Sequence, residues 1–211
     1  MLLIKMSLLE LYNMKYHKPS DINEHLPILL AYAKHCKHIT ECGVRNITSS
    51  YAFAAALTGT PENKYILIDP YKSSQMDSFV ALCHKEGVNA RFIEDSDLKV
   101  QREKTDLLFI DTWHVYGQLK RELAYWESYV TKYMILHDTT VDAIQGESVR
   151  ESKYYNIDEQ VKSSGFPREE ITKGLQPAIE EFLVNNPQWF VDIRLVNNNG
   201  LTVLRRCESR P

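Results

Sequence analysis

The chain has 211 residues, 44% of them hydrophobic and 25% charged, which suits one domain with a core that needs no disulfide or structural metal. A formal net charge of −3 excludes a general polyanion binder, so no nucleic-acid partner is expected, and the short runs "LKR" (119–121) and "LRR" (204–206) read as solvated faces. Four cysteines without a Cys-x-x-Cys pair point to a reduced, cytoplasmic chain. The start "MLLIKMSLLELYNMKYHK", charged at Lys5 and Glu10, offers neither a long apolar run nor a cleavage site, so no signal peptide or membrane span is expected.

Residues 1–37 read as a helical extension. In "SDINEHLPILLAYAKHC" either Ser20 or Asp21 can cap a helix, with Glu24 beyond it, and Leu26, Leu29, Leu30 and Ala33 recur at helical spacing. "HCKH" at 35–38, with Cys42 beyond, fits no zinc-site spacing. From residue 38 onward, short apolar runs end in acidic or small polar residues: "HITECG" (38–43), "KYILIDP" (64–70), "ARFIEDS" (90–96), "DLLFIDT" (106–112) and "YMILHDT" (133–139). Between them lie the helical segments "SYAFAAAL", "SQMDSFVALCHKEG" and "YGQLKRELAYWESYV". In the last, Leu119, Leu123, Trp126 and Val130 share a face, and the charges from Lys120 to Glu122 read as its wet side. Strand and helix alternating at this rhythm mean a parallel, doubly wound α/β sheet, and ligands bind at the carboxyl ends of such strands.

The polar stretch from about 145 to 173 is long enough for an active-site lid, or it is a plain surface excursion. A helix follows in "GLQPAIEEFLVNNPQW", with Pro177 near its start and Pro187 past its end. The chain then closes with two β runs joined by Asn198-Asn199-Gly200, a hairpin signal.

Taken together, "ITECGVRNITSS", "ILIDP", "LLFIDTWHVYGQLKREL", "MILHDTT" and the terminal hairpin resemble the S-adenosylmethionine-dependent class I methyltransferases. The nearest set is the metal-dependent sugar O-methyltransferase and cephalosporin-hydroxylase-like group, and the resemblance covers about Ser20 to Arg206. It implies a Rossmann-like fold: a mostly parallel seven-stranded sheet with a C-terminal antiparallel hairpin, one S-adenosylmethionine-binding domain over 38–211.

The resemblance also assigns residues. Glu41 and Gly43 match the turn that receives the cofactor's methionine portion, where glycine lets backbone amides approach. Ser49 keeps the hydroxyl that follows, whereas Ile47 stands where a second glycine is usual. Asp69 matches the acid that accepts the ribose hydroxyls, and Asp95 with Ser96 the adenine-contacting position, although Glu94 and Asp97 leave that register open. Each has a bland counterpart: a polar strand end for Glu41 and Gly43, a turn starter for Asp69.

Asp111 and His114 match the Asp-x-x-His signature after the fourth strand, and His137-Asp138 ends the fifth. The resemblance places a divalent metal, magnesium or manganese, on Asp111, Asp138 and His137, with His114 as general base because a free imidazole accepts a proton near neutral pH. His137 stands where relatives carry an acid, and nitrogen there favours manganese over magnesium. Asp111 could instead cap the next helix, His114 could pack beside Trp113, and Trp113 and Tyr116 could be core aromatics rather than stacking platforms.

The expected protein is thus an O-methyltransferase of a sugar or glycoside-like hydroxyl, with a small-molecule acceptor and compatible with a homo-oligomer. A non-catalytic binding or assembly protein on the same fold is one rival. A nucleotide-dependent oxidoreductase is the other, opposed by the missing Gly-x-Gly-x-x-Gly and by the terminal hairpin.

Overall fold

The computed structural model describes residues 6–60 and 62–207, and Lys5 lies outside them. One seven-stranded sheet runs through the chain in the order β3-β2-β1-β4-β5-β7-β6: β1 (His38–Cys42), β2 (Lys64–Asp69), β3 (Ala90–Glu94), β4 (Thr105–Ile110), β5 (Val130–His137), β6 (Trp189–Leu195) and β7 (Leu201–Arg206). The expected mostly parallel sheet with a terminal antiparallel hairpin is what is found. The chain divides into two compact units, the first running to Ile110 and the second starting at Asp111.

In the first unit β2 pairs parallel with both β1 and β3, and β1 with β4. Ile39, Leu67, Leu107 and Phe109 are fully buried, as strands covered on both faces require. Helices α3 (Ser49–Leu57) and α4 (Met76–Lys85) supply the crossovers. Phe53 of α3 packs at 5.3 Å from Phe109 and 6.2 Å from Tyr65, and Phe79 of α4 stands edge-on to Tyr51. The amino-terminal helices α1 (Leu8–His17) and α2 (Leu26–Ala33) both pack on α3.

A capping box starts α1: Ser7 Oγ accepts from the Glu10 amide, and Glu10 accepts from the Ser7 amide. Before α2 the structure chooses Ser20 over Asp21, and Asn23 over Glu24. Ser20 Oγ accepts from the amides of Ile22 and Asn23, Asn23 returns a bond to the Ser20 amide, and Asp21 turns away to pair with Arg45. This turn leads into a short 3₁₀ turn at Asn23–His25, and α2 begins only at Leu26.

In the second unit β7 is antiparallel to both β5 and β6. The hairpin turn places Asn198, Asn199 and Gly200 all at positive φ, which explains that composition. Helix α5 (Tyr116–Trp126) packs on α9 (Gln176–Asn185), with Leu119, Leu123 and Trp126 buried as the periodicity predicts. Glu122 departs from that reading. It is fully buried on α5, where it accepts from Thr112 Oγ1 and from Gln118 Nε2 at 2.7 Å, so the wet face is narrower than the charges suggest.

The polar excursion after β5 forms three short helices, α6 (Glu147–Arg150), α7 (Ile157–Ser164) and α8 (Arg168–Thr172). It is pinned at both ends. The Gly146 amide donates to Thr172 O, the Glu147 amide to His114 O, the Tyr116 amide to Lys173 O and the Gly174 amide to Ile144 O. Among the described residues no helix is long and apolar enough to cross a membrane.

Candidate functional site

The sequence places its candidate residues at strand ends, and the two units hold two groups of them. In the first unit the turn after β1 carries Gly43 at φ +83°, Arg45 at +35° and Ile47 at +56°. Gly43 suits that conformation; Ile47 does not, because a β-branched residue at positive φ is sterically opposed by about 1–2 kcal/mol. Its side chain, 1% exposed, is anchored in the core, and that burial holds the conformation. The Gly43 amide donates to Ile68 O, which seats the turn on the end of β2.

Asp69 closes the same turn. Its Oδ2 accepts from the amides of Val44 (2.8 Å) and Arg45 (3.1 Å), and Oδ1 accepts from the Tyr71 amide at 2.9 Å. The structure thus brings Asp69 and the Gly43 turn together, with the carboxylate already bonded to backbone. Glu41 is fully buried, and its oxygens accept from the hydroxyls of Ser49, Ser50 (2.8 Å) and Tyr65. Burial followed by the Glu41 charge pushes the Tyr65 phenol well above its ordinary range. Glu41 and Ser49 therefore act on each other, bracing the start of α3 beneath the turn. Asp95, just past β3, accepts from the Ser96 amide at 2.7 Å, and Ser96 Oγ accepts from the Leu98 amide, so these two build a turn of their own. Asp95 is exposed whereas Asp97 is buried.

In the second unit the structure gathers Asp111, His114, His137 and Asp138 into one cluster. His114 Nε2 lies 3.1 Å from Asp111 Oδ1. Its Nδ1 lies 3.1 Å from Asp138 Oδ2, 3.3 Å from Asp142 Oδ2 and 3.1 Å from Glu147 Oε2. His137 Nδ1 stands 3.3 Å from Asp111 Oδ1 and 3.2 Å from Asp138 Oδ2. Asp138 sits at φ +55°, a left-handed conformation that aspartate tolerates, and it leaves β5 there.

Sequence reasoning missed three members: Asp142, Glu147 and Arg150. Asp142, fully buried, receives Arg150 through Nε (2.6 Å) and a second guanidinium nitrogen (3.0 Å), a two-point clamp. Glu147 arrives on α6, whose own amide is tied to His114 O. The signal was an acidic residue four places after Asp138 and another just beyond Gly146, inside a stretch that reads as loop. The aromatic pair resolves toward packing: Trp113 stacks on Phe166 and donates Nε1–H to Ser148 Oγ, and the Tyr116 hydroxyl donates to Glu181.

Electrostatics in this cluster are strong. Burial opposes ionisation of Asp111, yet the His137 charge and the hydrogen bonds of both histidines hold its carboxyl well below the ordinary range. Burial likewise opposes charge on His114, but Asp111, Asp142, Glu147 and Asp138 outweigh it and raise the imidazole well above 6.5. For His137, burial is overcome by Asp111 and Asp138, and its pKa rises to about 10. Without a metal the surrounding carboxylates therefore favour the protonated form of His114, whereas a general base works in its neutral form.

The donor set also fits a divalent cation. Ligand atoms of Asp111, His114 and Asp138 lie within 4.8 Å of one another, as do those of His114, Asp142 and Glu147. Among the described residues, buried Asp138 Oδ1 has no hydrogen-bond partner, the kind of orphaned acceptor that a cation satisfies.

No protein-family model matches the chain, and no curated protein matches it. Solved structures do. TomG from Streptomyces achromogenes, an O-methyltransferase involved in tomaymycin synthesis solved with S-adenosylmethionine, superposes with a TM-score of 0.60 at 14% identity over 98% of this chain and 93% of that one. A putative caffeoyl-CoA O-methyltransferase from Staphylococcus aureus gives a TM-score of 0.58 at 17% identity, covering 94% and 98%. The Q8NRD3_CORGL protein from Corynebacterium glutamicum gives 0.61 at 15% identity, covering 96% and 90%. At such identities the likeness establishes the fold.

Proposed function

We propose that this chain, which has the class I methyltransferase fold, is an S-adenosylmethionine-dependent O-methyltransferase. The observation that carries the reading is the cluster of Asp111, His114 and Asp138 at two strand ends of that fold. The acceptor is a small molecule, a sugar or glycoside-like hydroxyl, rather than a nucleic acid or a membrane, and the protein works in the cytoplasm.

When bound, S-adenosylmethionine supplies an electrophilic methyl group, and a divalent cation lowers the pKa of a hydroxyl coordinated to it. Asp111 and Asp138 would hold the cation, with His137 as a nitrogen donor that favours manganese. His114 takes the acceptor's proton. A dication held by the same carboxylates would weaken their pull on the imidazole proton, and so would favour His114 as a base. In the first unit, the Gly43 turn receives the methionine portion, with Glu41 and Ser49 bracing it, Asp69 accepts the ribose hydroxyls, and Asp95 with Ser96 borders the adenine. The test is methyl transfer from labelled cofactor to a panel of sugar acceptors, with chelator and with magnesium or manganese restored. Activity lost in chelator and regained with metal supports the reading. His137→Asp should then shift the preference toward magnesium. Full activity in chelator would remove the metal from it.

Two observations favour a second reading, a non-catalytic binding protein: Asp69 already spends both oxygens on backbone amides, and Ile47 fills the glycine position. Calorimetry with S-adenosylmethionine separates the two, because the enzyme requires cofactor binding and the rival does not.

A further inference from the structure

We propose that Glu147 is a further ligand of the cation, carried on the excursion of residues 145–173, so that metal binding fastens that excursion in place. The inference rests on the metal-assisted reading above and adds a regulatory consequence to it. The excursion leans on the segment that follows Asp111. The Glu147 amide donates to His114 O at 3.0 Å, and Trp113 donates Nε1–H to Ser148 Oγ at 3.1 Å. Trp113 also stacks on Phe166 with ring centres 5.8 Å apart. Arg121 lies 4.0 Å from the Phe166 ring and pairs with Glu170 at 2.7 Å. Glu147 thus meets His114 twice, through its amide and through Oε2, which stands 3.1 Å from Nδ1.

Donors run short at this corner. His114 Nδ1 faces oxygens of Asp138, Asp142 and Glu147 at 3.1, 3.3 and 3.1 Å, and one ring N–H serves one of them well. Asp142 is supplied by Arg150 through two bonds. Asp138 and Glu147 are left to compete for the imidazole. A second, independent sign of a cation lies at Asp138. Its side chain is 7% exposed, and among the described residues its Oδ1 has no hydrogen-bond partner. A dication bonds several carboxylate oxygens at once, which a single proton cannot do.

The choice of Glu147 has a consequence because its element differs from those of the other ligands. Asp111 and Asp138 follow directly on β4 and β5, whereas Glu147 starts α6. A cation shared by all three ties the excursion to the strand ends. By linkage, whatever seats the excursion then tightens the metal to the same degree.

The test uses the full chain without S-adenosylmethionine or acceptor, so it reads the metal apart from methyl transfer. Manganese is titrated by calorimetry into wild type, E147Q and E159Q, the last removing an exposed carboxylate from α7 of the same excursion. Hydrogen exchange over residues 145–173 is followed with and without manganese. Wild type should bind manganese and exchange more slowly across the excursion, a result that depends on no variant. E147Q should bind it about 10–100-fold more weakly, the loss usual even for an outer partner of a ligand, and show no such slowing. E159Q should match wild type. Equal affinity in E147Q, an equal loss in E159Q, or manganese that binds without slowing exchange would each overturn the proposal and leave the metal reading standing. No manganese binding to folded wild type would overturn both.

Discussion

His114 meets Asp111 through one ring nitrogen and Asp138, Asp142 and Glu147 through the other, so it is both the candidate base and the counter-charge of the cluster. His114→Ala should lower turnover by about 10²–10⁴-fold, the usual contribution of a positioned acid–base group. In metal-free protein it should also cost stability of roughly 3–5 kcal/mol, because buried carboxylates lose their partner. Added metal should restore most of the stability and none of the turnover. Melting temperature and turnover measured on the same variant, with and without metal, separate the two roles; a variant active at the normal rate per folded molecule contradicts the base assignment. In the first unit, Asp69→Ala should weaken S-adenosylmethionine binding by about 1.5–3 kcal/mol, the worth of a charged hydrogen-bond acceptor, and calorimetry reads it. Ile47→Gly sets two effects against each other. Relief of the left-handed conformation returns about 1–2 kcal/mol, whereas losing a buried isoleucine costs more, about 2–5 kcal/mol for truncation to alanine alone. The variant should therefore melt lower. Asp111, His114 and Asp138 were legible in the sequence because each follows directly from where a buried strand stops. Asp142, Glu147 and Arg150 were not, because Asp142 lies in the loop before a four-residue helix that carries the other two, and that helix is seated by the bond from the Glu147 amide to His114 O.

The hairpin and the excursion hold the loop after β5, and thus the cluster, in place. Asn199 O accepts from the amides of Thr140 and Val141, and Gly200, at φ +97°, lets the turn lie directly on Thr140. A Cβ added there would stand 2.3 Å from Thr140 Oγ1. Gly174 is tighter against backbone: a Cβ would stand 2.3 Å from Asp142 O, with the Leu175 amide donating to that same oxygen. Gly174→Ala should therefore destabilise by about 1–3 kcal/mol or more, and by displacing Asp142 it should weaken manganese binding as well. Urea unfolding and metal titration on one preparation test this; normal metal affinity in a destabilised variant would detach Asp142 from the site. The strands, their order of appearance and the hairpin were readable because apolar runs and Asn-Asn-Gly are local signals. The excursion was not, since α7 buries none of its residues and offers only Ile157 and Val161, one turn apart, to announce it. Glu122 was misread for a related reason: a helical wheel shows which side a residue takes, and the partner that buries it comes from Thr112, outside the helix.

For the whole molecule, the charge cluster makes metal-free stability depend on pH in a defined sense. His137 rises from 6.5 to about 10 and His114 shifts the same way, so their contribution is complete below about pH 6.5 and is lost as pH climbs through the folded values. Asp111 moves down from 3.8, so its contribution is present above that value and is lost as pH falls. Metal-free protein should accordingly be most stable between about pH 4 and 6.5, and metal, which displaces those protons, should bind more tightly as pH rises. A metal-free melting profile that peaks above pH 8 contradicts this. The central claim, that the fold serves methyl transfer, is tested most directly by isothermal calorimetry of the intact chain with S-adenosylmethionine. The account predicts saturable binding at a single site per chain, weakened by Asp69→Ala and left intact by His114→Ala. Wild-type protein that is folded and gives no heat of binding at any cofactor concentration would contradict it.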